Sequence, residues 1–268
     1  MEVNPYSSNI QSLSGVQSGL LEKISSAQNI NKASDDPSGL LIADQLGVQK
    51  SSLAQSVQNY NSGIAMSSIA QSGISSQKDI LENIRTETLK AMNGTTSDDG
   101  KEAIANQISK YIDQYEQIAN STGYNGQELL KTSGDSTSDD ISIVGDKNII
   151  DLQKADTTSI SDTIKSFMSS FSTNKNSMDG LLDAVDNGID KLNTFASDFG
   201  SASNALESSA RDAISAETNM AKAQSTVADI DYTKEVSDFS KTNLMSQIAL
   251  IVQSQANAVQ SRSVPLLS

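Results

Sequence analysis

Apolar residues recur along most of this chain in steps of three and four, the spacing that lines one face of an α-helix. Up to Asn29, the positions Ile10, Leu13, Val16, Leu20, Leu21 and Ile24 form one such stripe. A second runs through Leu46, Leu53, Val57, Tyr60 and Ile64, and Ile80, Leu81, Ile84 and Leu89 extend it less regularly. Its start is legible in Ser34-Asp35-Asp36-Pro37. Asp36 can accept from the free N–H groups of a first turn, and Pro37 at the first helical position loses nothing by lacking its own. Asn93-Gly94 supplies a stop, and Gly63 and Gly73 inside the helix are expected to weaken it. Ile104, Ile108, Tyr111, Tyr115 and Ile118 mark a helix from about Ser97 to Ala119. From near Ser177, Met178, Leu182, Val185, Ile189, Leu192, Ala196 and Phe199 alternate steps of four and three without a miss. That pattern continues through Ala205, Leu206, Ala213, Met220 and Val227. A last helix, about Thr233 to Gln260, carries Val236, Phe239, Leu244, Ile248, Val252 and Val259 on one side.

Helix breakers are confined. Proline occurs only at Pro5, Pro37 and Pro265, and no glycine follows Gly200. Uninterrupted stretches much longer than the mean helix of about 11–12 residues point to a coiled coil or bundle. The middle differs. Ile141-Ser-Ile-Val144 and Ile149-Ile-Asp-Leu152, joined by Gly145-Asp-Lys-Asn148, predict a β-hairpin with a four-residue loop. Lys131 to Asp140 is small and polar, hence loop. The expected fold is mainly α: a long antiparallel helical rod or coiled-coil bundle with a small β-hairpin.

Composition narrows the function. The chain of 268 residues has 33 acidic against 19 basic side chains, a formal net charge of −14, and no His, Cys or Trp. Disulfides, thiolate metal sites, and Ser-His-Asp or Cys-His catalysis are excluded. The acidic balance argues against nucleic acid. Apolar residues make up 36% and aromatics 4%, which suits narrow helix seams better than a bulky globular core. The first residues lack a basic segment followed by an apolar one, so no cleaved secretory signal is expected. The apolar run Ile248–Val252 is far too short to cross a bilayer. Asp35-Asp36 reads as helix capping rather than a catalytic or cation pair. Asp135, Asp139 and Asp140 lack the central Gly and terminal Glu of a calcium loop. No catalytic, cofactor-binding or metal residue is assigned. Asn93-Gly-Thr95 and Asn120-Ser-Thr122 match the N-glycosylation pattern, a chance consequence of high Asn and Ser content.

Four separated pieces, in order, carry a family likeness. They are Ile30-Asn-Lys-Ala-Ser-Asp-Asp-Pro-Ser-Gly39, Tyr60-Asn-Ser-Gly-Ile-Ala-Met-Ser-Ser-Ile-Ala70, Ser121-Thr-Gly-Tyr-Asn-Gly-Gln-Glu-Leu-Leu130, and Val227-Ala-Asp-Ile-Asp-Tyr-Thr-Lys-Glu-Val-Ser237 with Gln253-Ser-Gln-Ala-Asn257. The chain resembles bacterial flagellin over nearly its whole length. The resemblance implies an inner terminal-helix domain at 1–36 and 233–268, and a helical rod domain at 37–232 with a hairpin insert around 131–176. It leaves no room for an outer domain.

The same resemblance implies a structural, non-enzymatic subunit that self-assembles into the flagellar filament for motility, with a hook–filament junction protein as the alternative. It further implies secretion to the extracellular flagellum. Implied partners are an export chaperone, the flagellar type III export apparatus, and cap and hook-junction proteins. A stripe on a single helix cannot bury itself alone, so the terminal stripes are expected to be disordered or aggregation-prone in a monomer until copies dock on one another. Leu244, Ile248, Ile251 and Val252 would be central in that packing, with Leu20, Leu21 and Ile24 opposite. Phe239, Leu244, Ile248 and Ile251 would be the chaperone contacts. Recognised flagellins contact an animal innate-immune receptor, and here Asn83, Glu87 and Gln107 stand where those members align Arg, Leu and Glu, so weak activation is expected. Exposed Ser and Thr between Leu130 and Thr173 are candidates for O-glycosylation.

Overall fold

The computed structural model describes residues 5–131, 140–146, 148–169, 171 and 175–263; the expected loop at 132–139, with Asp135 and Asp139, lies outside them, as does the side chain of Ile10. The elements are α1 (Pro5–Ser26), α2 (Pro37–Met92), α3 (Asp98–Ser121), β1 (Gly123–Tyr124), β2 (Gln127–Glu128), β3 (Ile141–Val144), β4 (Ile149–Leu152), α4 (Thr158–Met168), α5 (Lys175–Ala228) and α6 (Tyr232–Ser263). Contacts divide the chain into two compact units. One joins the residues up to Ser51 to those from Glu217 onward, and the other is Ser52–Ala216.

In the Ser52–Ala216 unit, α2 presents two rows that repeat every seven residues. Leu53, Tyr60, Ser67, Ile74, Leu81 and Thr88 form one, and Ser56, Gly63, Ala70, Gln77, Ile84 and Ala91 the other; every member is buried. From α5, Met178, Val185, Leu192, Phe199, Leu206 and Ala213 keep the same step, all buried. Gly63 lies against Leu206, and Gly188 against Leu81, so the two helices run antiparallel. This is the spacing of a coiled-coil seam. It is a thin seam, because Ser, Gly, Ala and Thr fill many of its slots.

The glycines do more here than the sequence suggests. A Cβ on Gly63 would lie 2.9 Å from Leu206 Cδ1, and one on Gly73 2.7 Å from Thr122 Oγ1 and 2.8 Å from Leu130 Cδ1. Their expected weakening of α2 is offset by the close approach they permit. The stripes of α3 and α5 are also turned from those expected. On α3 the buried positions are Ile108, Ile112, Tyr115 and Ala119, with Ile104, Tyr111 and Ile118 only half-buried. On α5, Leu181 and Gly188 are buried, Leu182, Ile189 and Ala196 are half-buried, and Ala205 is exposed. The packing partner, not apolarity alone, sets the face.

Helix α3 starts where expected, Ser97 accepting from Gly100 N–H at 3.2 Å. The hairpin β3–β4 has the predicted strands and register, Ile141 opposite Leu152 and Val144 opposite Ile149. It rests on α2: Asn59 Nδ2 donates to Val144 O at 2.8 Å, Ser52 Oγ donates to Asp146 Oδ1 at 3.0 Å, and Ile143 and Leu152 are buried. Helix α4, which was not expected, buries Ile160, Ser161 and Ile164.

A polar node joins these layers. Buried Gln77 donates through Nε2 to Tyr115 O (3.3 Å) and Thr157 Oγ1 (3.0 Å). Thr157 Oγ1 donates to Leu130 O at 2.9 Å, and Tyr115 Oη donates to Thr157 O at 3.2 Å. Burial pushes the Tyr115 phenol well above its ordinary pKa. Gln77 Oε1 is buried and accepts no hydrogen bond among the described residues. Nearby, Glu116 Oε1 accepts from Ser161 Oγ at 3.0 Å and pairs with Lys165, tying α4 to α3.

Candidate functional site

The unit built from the two chain ends contains α1, the start of α2, the end of α5, and α6. The short links that follow α1 and α5 pair in it. Asn29 N–H donates to Ala228 O at 2.7 Å, Ile230 N–H donates to Ala27 O at 3.3 Å, and Gln28 pairs with Asp229 in an antiparallel bridge. Ala27 takes a left-handed φ of 58°, which ends α1. Asp35 Oδ2 accepts from the N–H groups of Asn31 and Lys32, both at 3.0 Å. Those donors hold its carboxyl below the usual range. Asp36 Oδ1 accepts from Ser38 N–H at 3.0 Å and caps α2. Asp231 caps α6 through Thr233 N–H (3.0 Å) and Lys234 N–H (3.1 Å). Each of these acids is engaged by local amides, and no group of three metal-ligating side chains occurs among the described residues.

Helices α1 and α6 pack antiparallel. They are paired within the chain, as the implied inner terminal-helix domain requires. Leu13, Gln17, Leu20, Lys23 and Ile24 are the half-buried positions among the described side chains of α1, and Val16 and Leu21 face outward. The less exposed positions of α6 among the described side chains are Glu235, Phe239, Thr242, Ser246, Ala249, Gln253 and Ala256, at steps of three and four, with Asp238 and Asn243 beside them. Apart from Phe239 these are small or polar. The large apolar side chains point the other way: Leu244 is 60% exposed, Ile248 59%, Ile251 62% and Val252 44%. Met245, Leu250 and Val259 are exposed beside them. Helix α6 is thus inverted, with its polar side toward its own chain and its apolar side in solvent.

Of the residues expected to form an interface, Leu20, Ile24 and Phe239 are half-buried, while Leu21, Leu244, Ile248, Ile251 and Val252 form exposed ridges. Sequence reasoning missed Leu41, Ile42 and Val48, which are exposed at the start of α2. Their signal was available, since apolar residues stand at 40–42 directly after the cap. On the other unit, Asn83 is exposed, Glu87 is half-buried and pairs with Lys90 at 2.8 Å, and Gln107 is half-buried. No helix among the described residues is long and apolar enough to cross a membrane.

Known proteins match this arrangement. The bacterial flagellin N-terminal helical region matches residues 2–137, and the bacterial flagellin C-terminal helical region matches residues 182–267. The chain is 27% identical over 248 residues to a flagellin of Halalkalibacterium halodurans, covering 92% of this chain and 90% of that one. It is 28% identical over 261 residues to the flagellar filament 30.7 kDa core protein of Treponema maltophilum, covering 93% and 92%. Two solved structures share the fold. Bacillus cereus flagellin gives a TM-score of 0.52 at 24% identity, covering 62% of this chain and 94% of that one. A protein described as flagellar hook-associated, from Vibrio parahaemolyticus, gives 0.65 at 16% identity, covering 73% and 100%. With both helical regions matched in order and relatives aligned almost end to end, the chain belongs to the bacterial flagellin family.

Proposed function

We infer that this chain is a structural subunit that self-assembles into the bacterial flagellar filament. The observation that carries the reading is the inverted helix α6. A helix that keeps Thr242, Ser246 and Ala249 inward and holds Leu244, Ile248 and Ile251 in water forgoes apolar burial at about 25 cal/mol per Å². Contact with further copies recovers it. A head-to-tail contact whose rotation does not close extends into an open helical filament. Leu20, Leu21, Ile24, Phe239, Leu244, Ile248, Ile251 and Val252 form the proposed polymerisation surface, extended by Leu41, Ile42 and Val48.

The filament lies outside the cell, so the subunit passes through the flagellar type III export apparatus and meets cap and hook-junction proteins. Before export, a chaperone groove takes the apolar face of α6, with Phe239, Leu244, Ile248 and Ile251 as anchors. A hook–filament junction role is the weaker reading, since relatives that align along nearly the whole chain include a flagellin and a filament core protein. At Asn83, Glu87 and Gln107 the chain lacks the aligned receptor contacts, and the purified monomer should activate the innate receptor poorly beside a strongly recognised flagellin.

Seeded polymerisation followed by electron microscopy tests the main reading. The parent chain should give long uniform filaments. Ile248→Asp and Leu244→Asp should give none while keeping the far-ultraviolet helical signal. Normal filaments from both variants would sink the assignment of this surface, and soluble particles from the parent under all conditions would sink the function.

A further inference from the structure

Three Asn-Gly pairs occur in the chain, at 93–94, 125–126 and 187–188, and the structure treats them very differently. Asn-Gly is the dipeptide in which a backbone amide most easily attacks the preceding side chain, because glycine offers no Cβ to obstruct it. Gly188 lies inside α5, where its N–H belongs to the helical ladder, and a Cβ there would meet Ile160 Cγ2 at 2.7 Å. Asn125 and Gly126 are the two central residues of the tight turn between Tyr124 and Gln127, with φ of 50° and 81°. The β1–β2 pairing fixes that backbone.

Asn93-Gly94 is open. It follows the last residue of α2, and nothing lies within 4 Å of the place a Cβ on Gly94 would occupy. The Gly94 N–H donates no hydrogen bond among the described residues. Asn93 Oδ1 accepts from Thr95 N–H at 3.2 Å and from Thr95 Oγ1 at 3.0 Å. A free nucleophile thus sits next to a side-chain carbonyl that is already polarised by two donors.

We propose that Asn93-Gly94 is a self-modification site, at which the chain converts Asn93 to aspartate and isoaspartate without any enzyme. The Gly94 nitrogen, losing its proton to solvent base, attacks Asn93 Cγ and forms a five-membered succinimide. The negative charge on Oδ1 in the tetrahedral intermediate is held by Thr95 N–H and Thr95 O–H, as in an oxyanion hole. The Cγ–Nδ2 bond breaks and ammonia leaves. Water then opens the ring at either carbonyl, giving aspartate or isoaspartate; the net change is one water consumed and one ammonia released. The product places a carboxylate at the C-terminal end of α2, where the helix carbonyls already concentrate negative charge. In the isoaspartyl form the main chain gains a carbon across the turn that Thr96 N–H now closes on Asn93 O at 2.9 Å.

The test is peptide mapping of the purified full chain aged at physiological temperature and mildly alkaline pH, following the one-dalton mass gain and isoaspartate at each pair. Asn93 should convert at least about tenfold faster than Asn125 or Asn187, because a loop opens at almost no cost and a packed helix does not. Gly94→Ala should slow Asn93 severalfold without disturbing the fold, since the added methyl meets open space. Thr95→Val should also slow it. Equal rates at the three pairs, or faster conversion at Asn187, overturn the proposal. An unchanged or faster rate in Thr95→Val overturns the part given to Thr95.

Discussion

Replacing Gln77 with leucine should stabilise the Ser52–Ala216 unit, although it deletes a buried hydrogen-bonding side chain. Gln77 makes two hydrogen bonds through Nε2, each with a net value of about 1 kcal/mol. Against this, its buried Oε1 is unpaired, at a cost of about 1–3 kcal/mol. The partners do not suffer from its loss. Tyr115 O lies within the ladder of α3, and Thr157 Oγ1 still donates to Leu130 O. A leucine of similar size adds about 1.5–3 kcal/mol of apolar burial. The balance favours Gln77→Leu by about 0.5–4 kcal/mol, and for a unit of this length each kcal/mol raises the melting temperature by roughly 2–4 °C. Calorimetry of parent, Gln77→Leu and Gln77→Ala is the assay, with the alanine form melting below the parent because it keeps neither bonds nor volume. A Gln77→Leu chain that melts below the parent would refute the reasoning and show that the polar node is a net stabiliser.

Other substitutions probe the seam and its edges, each read by thermal or urea unfolding. Gly188→Ala, which in an ordinary helix gains about 1 kcal/mol, should instead cost about 1–3 kcal/mol, because its methyl would lie 2.7 Å from Ile160 Cγ2 and 3.1 Å from Leu81 Cδ1. Leu206→Ala, at a fully buried position, should cost about 2–5 kcal/mol. Ser97→Ala should cost about 0.5–2 kcal/mol through loss of the α3 cap. Burial raises the pKa of Glu116, but hydrogen bonds from Lys165 and Ser161 outweigh it and hold the carboxyl below its ordinary value. Its contribution is therefore present above the unfolded pKa of about 4.3 and lost as pH falls through the lower folded one. Glu116→Gln should cost no more than ~0.5 kcal/mol at neutral pH, since the pair is partly solvated, and the difference from the parent should vanish in strong acid.

Long helices and turn chemistry were legible in the sequence because they rest on local signals. Asp36-Pro37, Ser97 and Asn93-Gly94 mark helix ends within a residue or two of those observed, and the hairpin strands 141–144 and 149–152 match residue for residue. The α2 seam was only half legible. Its geometry repeats every seven residues, but Ser56, Gly63, Ser67, Ala70, Gln77 and Thr88 occupy slots where an apolarity scan expects large side chains. Small residues are chosen there by how closely α5, α3 and the hairpin approach, and that is a tertiary quantity. Helix α4 was missed because Ser and Thr dominate it, although Ile160, Ile164 and Phe167 stand at steps of four and three. In the terminal unit the apolar row of α6 was visible. That it faces away from its own chain was not, since a stripe does not say which neighbour it meets.

The antiparallel seam has a kinetic consequence. Gly63 meets Leu206, and Leu81 meets Gly188, so early residues pack on partners more than a hundred positions later. Bringing such distant segments together costs loop-closure entropy before any contact rewards it. A chain emerging N-terminus first therefore has no seam to close until most of its length has followed. Gln77 meets Tyr115 and Gly73 meets Thr122 within the first half, so those contacts form earlier, while the α2–α5 seam waits for the last third.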